Sequence, residues 1–128
     1  MKFLLLVFLM FSELTLASAY DEAERKSSAF HSDKETVRWY EEEMQPSFKK
    51  IFMPALGLCL SKVQSNRPSR IDLVFVVDSF GNPSEIYWKE ESLLGKCLEI
   101  FIKTNKFAIP PNEEFYFGIG FNVPAYKG

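Results

Sequence analysis

The run from Ile71 to Asp78, Ile-Asp-Leu-Val-Phe-Val-Val-Asp, constrains this chain more than any other segment. Ile71, Leu73, Phe75 and Val77 alternate to one side, while Val74 and Val76 point to the other. A strand that is apolar on both faces belongs in the middle of a sheet. Ser79 to Ser84, with Gly81-Asn82-Pro83 inside it, reads as a hairpin turn. Glu85 to Glu90 is then the returning strand, with Ile86 and Trp88 on one face and Tyr87 and Lys89 on the other. Phe115 to Val123 alternates in the same way. Phe115, Phe117, Ile119, Phe121 and Val123 face inward, and Tyr116, Gly118, Gly120 and Asn122 outward.

The helices show a different period. Ser32-Asp33-Lys34-Glu35 fits a capping box, with Ser32 as the cap. Thr36, Val37, Trp39, Tyr40 and Met44 supply apolar contacts after it, and Glu41 to Glu43 read as a solvated face. Pro46 suits the first turn of a second helical stretch. There Phe48, Ile51, Phe52, Ala55 and Cys59 form one stripe. Pro54 and Gly57 within it predict a kink and local looseness. Ser92 caps a further helix running to about Lys106, with Leu94, Cys97, Leu98 and Phe101 as its stripe. Pro110-Pro111 bars helix or central strand there.

The order α-β-β-α-β predicts an α+β domain. Two main helices pack on one face of a three-stranded sheet in the order second-first-third, and the last strand runs parallel to the second.

The first residues form an address rather than part of the fold. Lys2, the apolar run Phe3 to Phe11 and the exit Leu16-Ala17-Ser18-Ala19 describe a secretory signal peptide over residues 1–19. A bilayer-spanning helix needs roughly 20 apolar residues, far more than this run supplies. No stable membrane anchor is expected after cleavage before Tyr20. Residues 20–31 read as a flexible lead-in, and 32–128 as a single domain.

Export changes the meaning of Cys59 and Cys97. In an oxidising compartment two cysteines of a small domain most often pair. The alternative is two free thiols, one of them reactive. A nucleophilic thiol wants a base beside it, and the only histidine, His31, lies in the polar lead-in.

Composition sets the outer limits. With 15 basic and 17 acidic residues, the formal net charge is -2. A nucleic-acid binder needs a concentrated basic surface, so none is expected as a partner. Two cysteines and one histidine do not make a four-ligand structural zinc site, and no metal or cofactor is expected. Asp72, Asp78, Glu85, Glu90 and Glu91 fall at strand ends and turns, where acids are usually solvated. Paired carboxylates act as acid and base only when burial separates their pKa values. Phosphate-loop, nucleophile-elbow and zincin-helix motifs do not occur. The expectation is a protein without catalytic residues.

The order and spacing of these elements from Phe48 to Val123 resemble the C-terminal domain of TonB-like proteins, in its cysteine-containing AgmX/PglI-type variety. The resemblance rests on Cys59 late in a helix, the strand Ile71 to Asp78 and Gly81 in the hairpin. Leu94 to Leu98 around Cys97, Phe107-Ala108-Ile109-Pro110 and the strand Phe115 to Phe121 complete it. It implies the periplasm of a Gram-negative bacterium, and a last strand that receives a partner segment.

Binding is therefore the expected role. The last strand is a sheet edge with unpaired backbone groups, where Gly118 and Gly120 would let another chain approach closely. Tyr116 and Asn122 stand beside them. On the sheet face away from the helices, Val74, Val76, Tyr87 and Tyr116 form an apolar patch. A protein of the cell envelope, the lead-in, or a second copy of the chain in a homodimer would cover it. Two roles are expected in turn: a periplasmic protein-interaction module, and an immunity or inhibitor protein that neutralises a secreted toxin or hydrolase.

Overall fold

The computed structural model describes residues 19–127. Apart from Ala19, the expected signal peptide lies outside the described residues. Helix α1 covers residues 19–28, and a 3-10 turn, Ala29–Ser32, leads from it into α2, Lys34–Trp39. A π-helical turn, Tyr40–Met44, continues without a break into α3, Gln45–Lys62. Strands β1, Arg70–Val77, and β2, Pro83–Trp88, form the hairpin. Helix α4, Leu93–Lys103, and strand β3, Phe115–Asn122, complete the domain.

The sheet order is β2-β1-β3, and both neighbours run antiparallel to β1. The α+β architecture and strand order expected from the alternation are thus present, and β3 runs parallel to β2. Leu73 pairs with Trp88 on one side and with Ile119 on the other.

Period decides burial in the strands and in α3 and α4. Ile71, Leu73, Phe75 and Val77 join Phe48, Phe52 and Cys59 of α3 and Leu94, Leu98 and Ile102 of α4 in the main core. Phenylalanines fill the centre: the Phe75 ring lies 5.3 Å from Phe117 and 5.0 Å from Phe107, centroid to centroid. Cys59 and Cys97 form a disulfide between α3 and α4, with Cα atoms 5.8 Å apart. The free-thiol alternative is closed.

Several local expectations change. Residues 20–31, read as a flexible lead-in, are helical through residue 28 and turn at Ala29–Ser32. Tyr20 and Ala23 are buried against Val74, a contact that no local pattern announces. Asp33, not Ser32, caps α2: its carboxylate accepts from the Glu35 N–H at 3.1 Å and the Thr36 hydroxyl at 2.9 Å. That hydroxyl, with the Glu35 amide behind it, holds Asp33 below the ordinary carboxylate range. Pro46 lies in the first turn of α3 as expected, although α3 follows the π turn without a break. The proline has no N–H for the Glu42 carbonyl, and the wider π turn just before it accommodates the missing bond and the ring. Helix α4 stops at Lys103, which frees Phe107 to enter the core from the following loop.

Gly81 answers a backbone demand. Its φ is +86°, and a Cβ there would stand 2.5 Å from the Phe107 carbonyl oxygen, which the backbone cannot easily move. Gly81→Ala is expected to cost about 2–3 kcal/mol, through both the left-handed conformation and the clash. Urea unfolding followed by circular dichroism measures it, and an unchanged midpoint would contradict this account.

Candidate functional site

Strand β3 has β1 on one side and no strand on the other. The Val123 N–H donates to the Ser69 carbonyl at 2.9 Å, which fixes the phase of the ladder. In an antiparallel pair the hydrogen-bonded residues alternate. Phe115, Phe117, Ile119 and Phe121 therefore spend their backbone groups on β1. The N–H and C=O groups of Tyr116, Gly118, Gly120 and Asn122 point to the free edge. These four residues are the ones singled out from the sequence, and Gly118, Gly120 and Asn122 are solvent-exposed.

The reason for the two glycines differs from the expected one. A Cβ on Gly118 would meet the Ser27 hydroxyl of α1 at 2.9 Å. One on Gly120 would collide with the Arg70 guanidinium and the Asp72 carboxylate, an ion pair closed at 3.0 Å. Both glycines make room for parts of this same chain on the outer face. They leave the edge itself bare.

The outer-face patch is not a free surface. Val74 is 1% exposed, Val76 is 2% exposed, and Tyr87 and Tyr116 are half-buried. Helix α1 covers Val74 with Tyr20 and Ala23, and the Lys26 ammonium stands 5.1 Å from the centroid of the Tyr116 ring. The N-terminal segment of the chain itself, one of the coverings expected, packs on this face. Burial, then the Glu24 and Asp72 charges, pushes the Tyr20 phenol up to about 12. The hydrogen bond to Glu85, with burial behind it, does the same for Tyr87.

A raised phenol value means that the neutral form suits the folded state. The Tyr20 contribution is complete below the ordinary value of 10.0 and is lost as the pH climbs through about 12. Tyrosinate absorbance is expected to include a late stage near pH 12, to which Tyr20 and Tyr87 contribute. Tyr20→Phe should shrink the late stage. A single stage near the ordinary value would refute the burial of Tyr20.

The carboxylates considered for acid–base work have structural partners. Asp72 holds Arg70, and Asp78 accepts from the Phe80 and Asn82 amides at 2.9 Å each, bracing the hairpin turn. Glu85 takes the Tyr87 hydroxyl, while Glu90 and Glu91 are exposed. His31 is exposed and stacks on Phe30 at 4.3 Å. Among the described residues no group of three His, Cys, Asp or Glu could hold a metal ion. A groove of about 270 Å³ runs between Phe30, Asp33, Pro110, Asn112 and Tyr116, where the chain passes from the outer face to the helix layer.

Sequence reasoning missed Arg67. Its guanidinium donates to the Val63 carbonyl at 2.7 Å and to Pro124 at 3.0 Å, and also to Leu60, tying the end of α3 to the tail. The turn composition around it gave no signal for this. Among the described residues no helix is long and apolar enough to cross a membrane.

The chain matches no family model, and no curated protein or solved structure matches it. None of these comparisons supports the resemblance to TonB C-terminal domains.

Proposed function

We propose that this chain is an exported, periplasmic, non-catalytic protein-interaction module that takes an extended partner segment along the free edge of β3. One observation carries the reading: the outward backbone groups of Tyr116, Gly118, Gly120 and Asn122 form an edge with no neighbouring strand. Strand addition draws affinity from such main-chain groups. The disulfide is consistent with an oxidising compartment. With the outer face taken by α1, the edge is the more open of the two surfaces first considered.

Asn122→Pro tests it. The Asn122 N–H points away from β1, so proline removes an edge donor and leaves the ladder intact. Pull-down from periplasmic extract should recover a partner with the parent chain and lose it with the variant, at an unchanged thermal midpoint. Equal recovery of the same partner by both chains would sink the edge as the site.

A second reading has its own observation. Phe80 is 68% exposed on a turn that Asp78 holds rigid, a shape suited to plugging a pocket. An immunity or inhibitor protein would use it against a secreted toxin or hydrolase. Loss of capture in Phe80→Ala, with Asn122→Pro unaffected, would favour this reading.

A further inference from the structure

The two long helices carry their charges unevenly. Helices α3 and α4 together hold five lysines and a single glutamate, Glu99, in a chain whose net charge is -2. That glutamate is already engaged, by Lys103 at 3.7 Å and by the Trp88 indole N–H at 3.0 Å. From Gln45 to Arg70 the sequence has no acidic residue at all. The acids Glu41–Glu43 and Glu90–Glu91 precede the first turns of α3 and α4. Asp21, Glu22 and Glu24 lie on α1, across the sheet.

Apolar side chains stand among these lysines. The core contacts of α3 come from Phe48, Phe52, Ala55 and Cys59, so helical period puts Lys50, Met53 and Gly57 on its opposite face. Those of α4 come from Leu94, Leu98 and Ile102, which puts Lys96, Ile100 and Lys103 outward. Met53, Leu58, Leu93 and Ile100 are each more than half exposed. Helix α3 thus carries large apolar side chains on its solvent side as well as its core side, with lysines among them. The Cys59–Cys97 bridge holds the two helices side by side as one layer.

We propose that the outward face of the α3–α4 layer docks reversibly on an anionic lipid surface. The lysines would meet the headgroups, and Met53, Leu58, Leu93 and Ile100 would enter the boundary beneath them. Charge complementarity selects the occupant: basic residues interleaved with large apolar ones are the mark of interfacial binding. A polyphosphate chain such as nucleic acid has no use for Met53 or Ile100, and arginine, its favoured ligand, is absent from both helices. Docking here leaves the β3 edge unused and does not depend on the strand-addition reading.

The test uses the mature, oxidised chain from Tyr20 onward, which contains all the buried core residues described. Omitting the apolar leader removes its own affinity for lipid. Co-sedimentation with phosphatidylcholine vesicles containing about a third phosphatidylglycerol should retain the chain at low salt. Pure phosphatidylcholine vesicles should not, and high salt should release it. Lys50→Gln with Lys96→Gln is expected to lower partition roughly thirtyfold, at about 1 kcal/mol for each lysine charge lost. Met53→Ser with Ile100→Ser should lower it about tenfold. All four positions are exposed, so thermal midpoints should hold and show that the variants fold. Met53→Trp adds a reporter, whose emission should shift to the blue on vesicles and be quenched by brominated acyl chains. Failure to bind the anionic vesicles, or partition unchanged in either double variant, overturns the proposal. So does binding that follows the lysines alone, which would mark a general polyanion site.

Discussion

Replacing Cys59 and Cys97 together by alanine is expected to lower the stability of this domain by about 4 kcal/mol. The bridge closes a loop across a separation of 38 residues that spans the end of α3, the whole β1–β2 hairpin and the first turn of α4. Without it the unfolded chain regains the entropy of that loop. The folded state also loses buried contacts, because Cys59 is fully buried in the main core. A domain of this size has roughly 5–15 kcal/mol in total, so the loss is a large fraction. The thermal midpoint should fall by on the order of 20 °C. Urea titrations of the oxidised chain, the reduced chain and the double variant measure the effect. If all three share one midpoint, the cross-link contributes nothing and the α3–α4 contact stands by itself. Single variants are less informative, since each leaves an unpaired thiol.

Phe75→Ala is the point substitution with the largest expected effect, about 3–5 kcal/mol. Phe75 is fully buried on the central strand. Its ring meets Phe48 from α3, Phe107 from the loop after α4 and Phe117 from β3, so one side chain joins three separate stretches of chain. The cavity has stiff walls, because β1 is hydrogen-bonded on both sides and cannot collapse into it. Phe80→Ala removes the same side chain from an exposed turn and should change stability by less than about 0.5 kcal/mol. Equilibrium unfolding of the pair separates burial from residue type. Equal losses in both variants would mean that Phe75 is not the centre of this core. After the loss expected of Phe75→Ala, the α3–α4 bridge would supply much of the remaining stability, so the combined variant should not fold.

The strand core, the two stripes and the disulfide were legible in the residues because each is a local statement about burial. Ile71 to Val77 alternates between two apolar faces, and both faces are covered. Phe48 to Cys59 and Leu94 to Leu98 repeat at helical spacing, and both stripes meet the sheet. Two cysteines on buried stripes of separate helices had one economical geometry, and it is the one present. The β3 edge was legible too, since a right-handed crossover from β2 can carry the last strand to the far side of β1, and there it lies.

What filled the space around these elements was decided elsewhere in the chain. Helix α1 buries only Tyr20 and Ala23, too few to make a period, and its position comes from Val74 beneath it. Ser32 and Asp33 are both good caps. The choice fell to Asp33 because the preceding turn carries Phe30 onto Phe115 and Tyr40, which sets the angle at which α2 begins. Gly118 and Gly120 announce missing side chains, while Ser27, Arg70 and Asp72 decide what occupies the gap. The sequence alone determined which residues must leave water and at what spacing, because hydrophobic burial acts on each residue and its near neighbours. Only the tertiary structure decided what each buried or vacant position faces, because those partners lie far along the chain and meet only after it has folded.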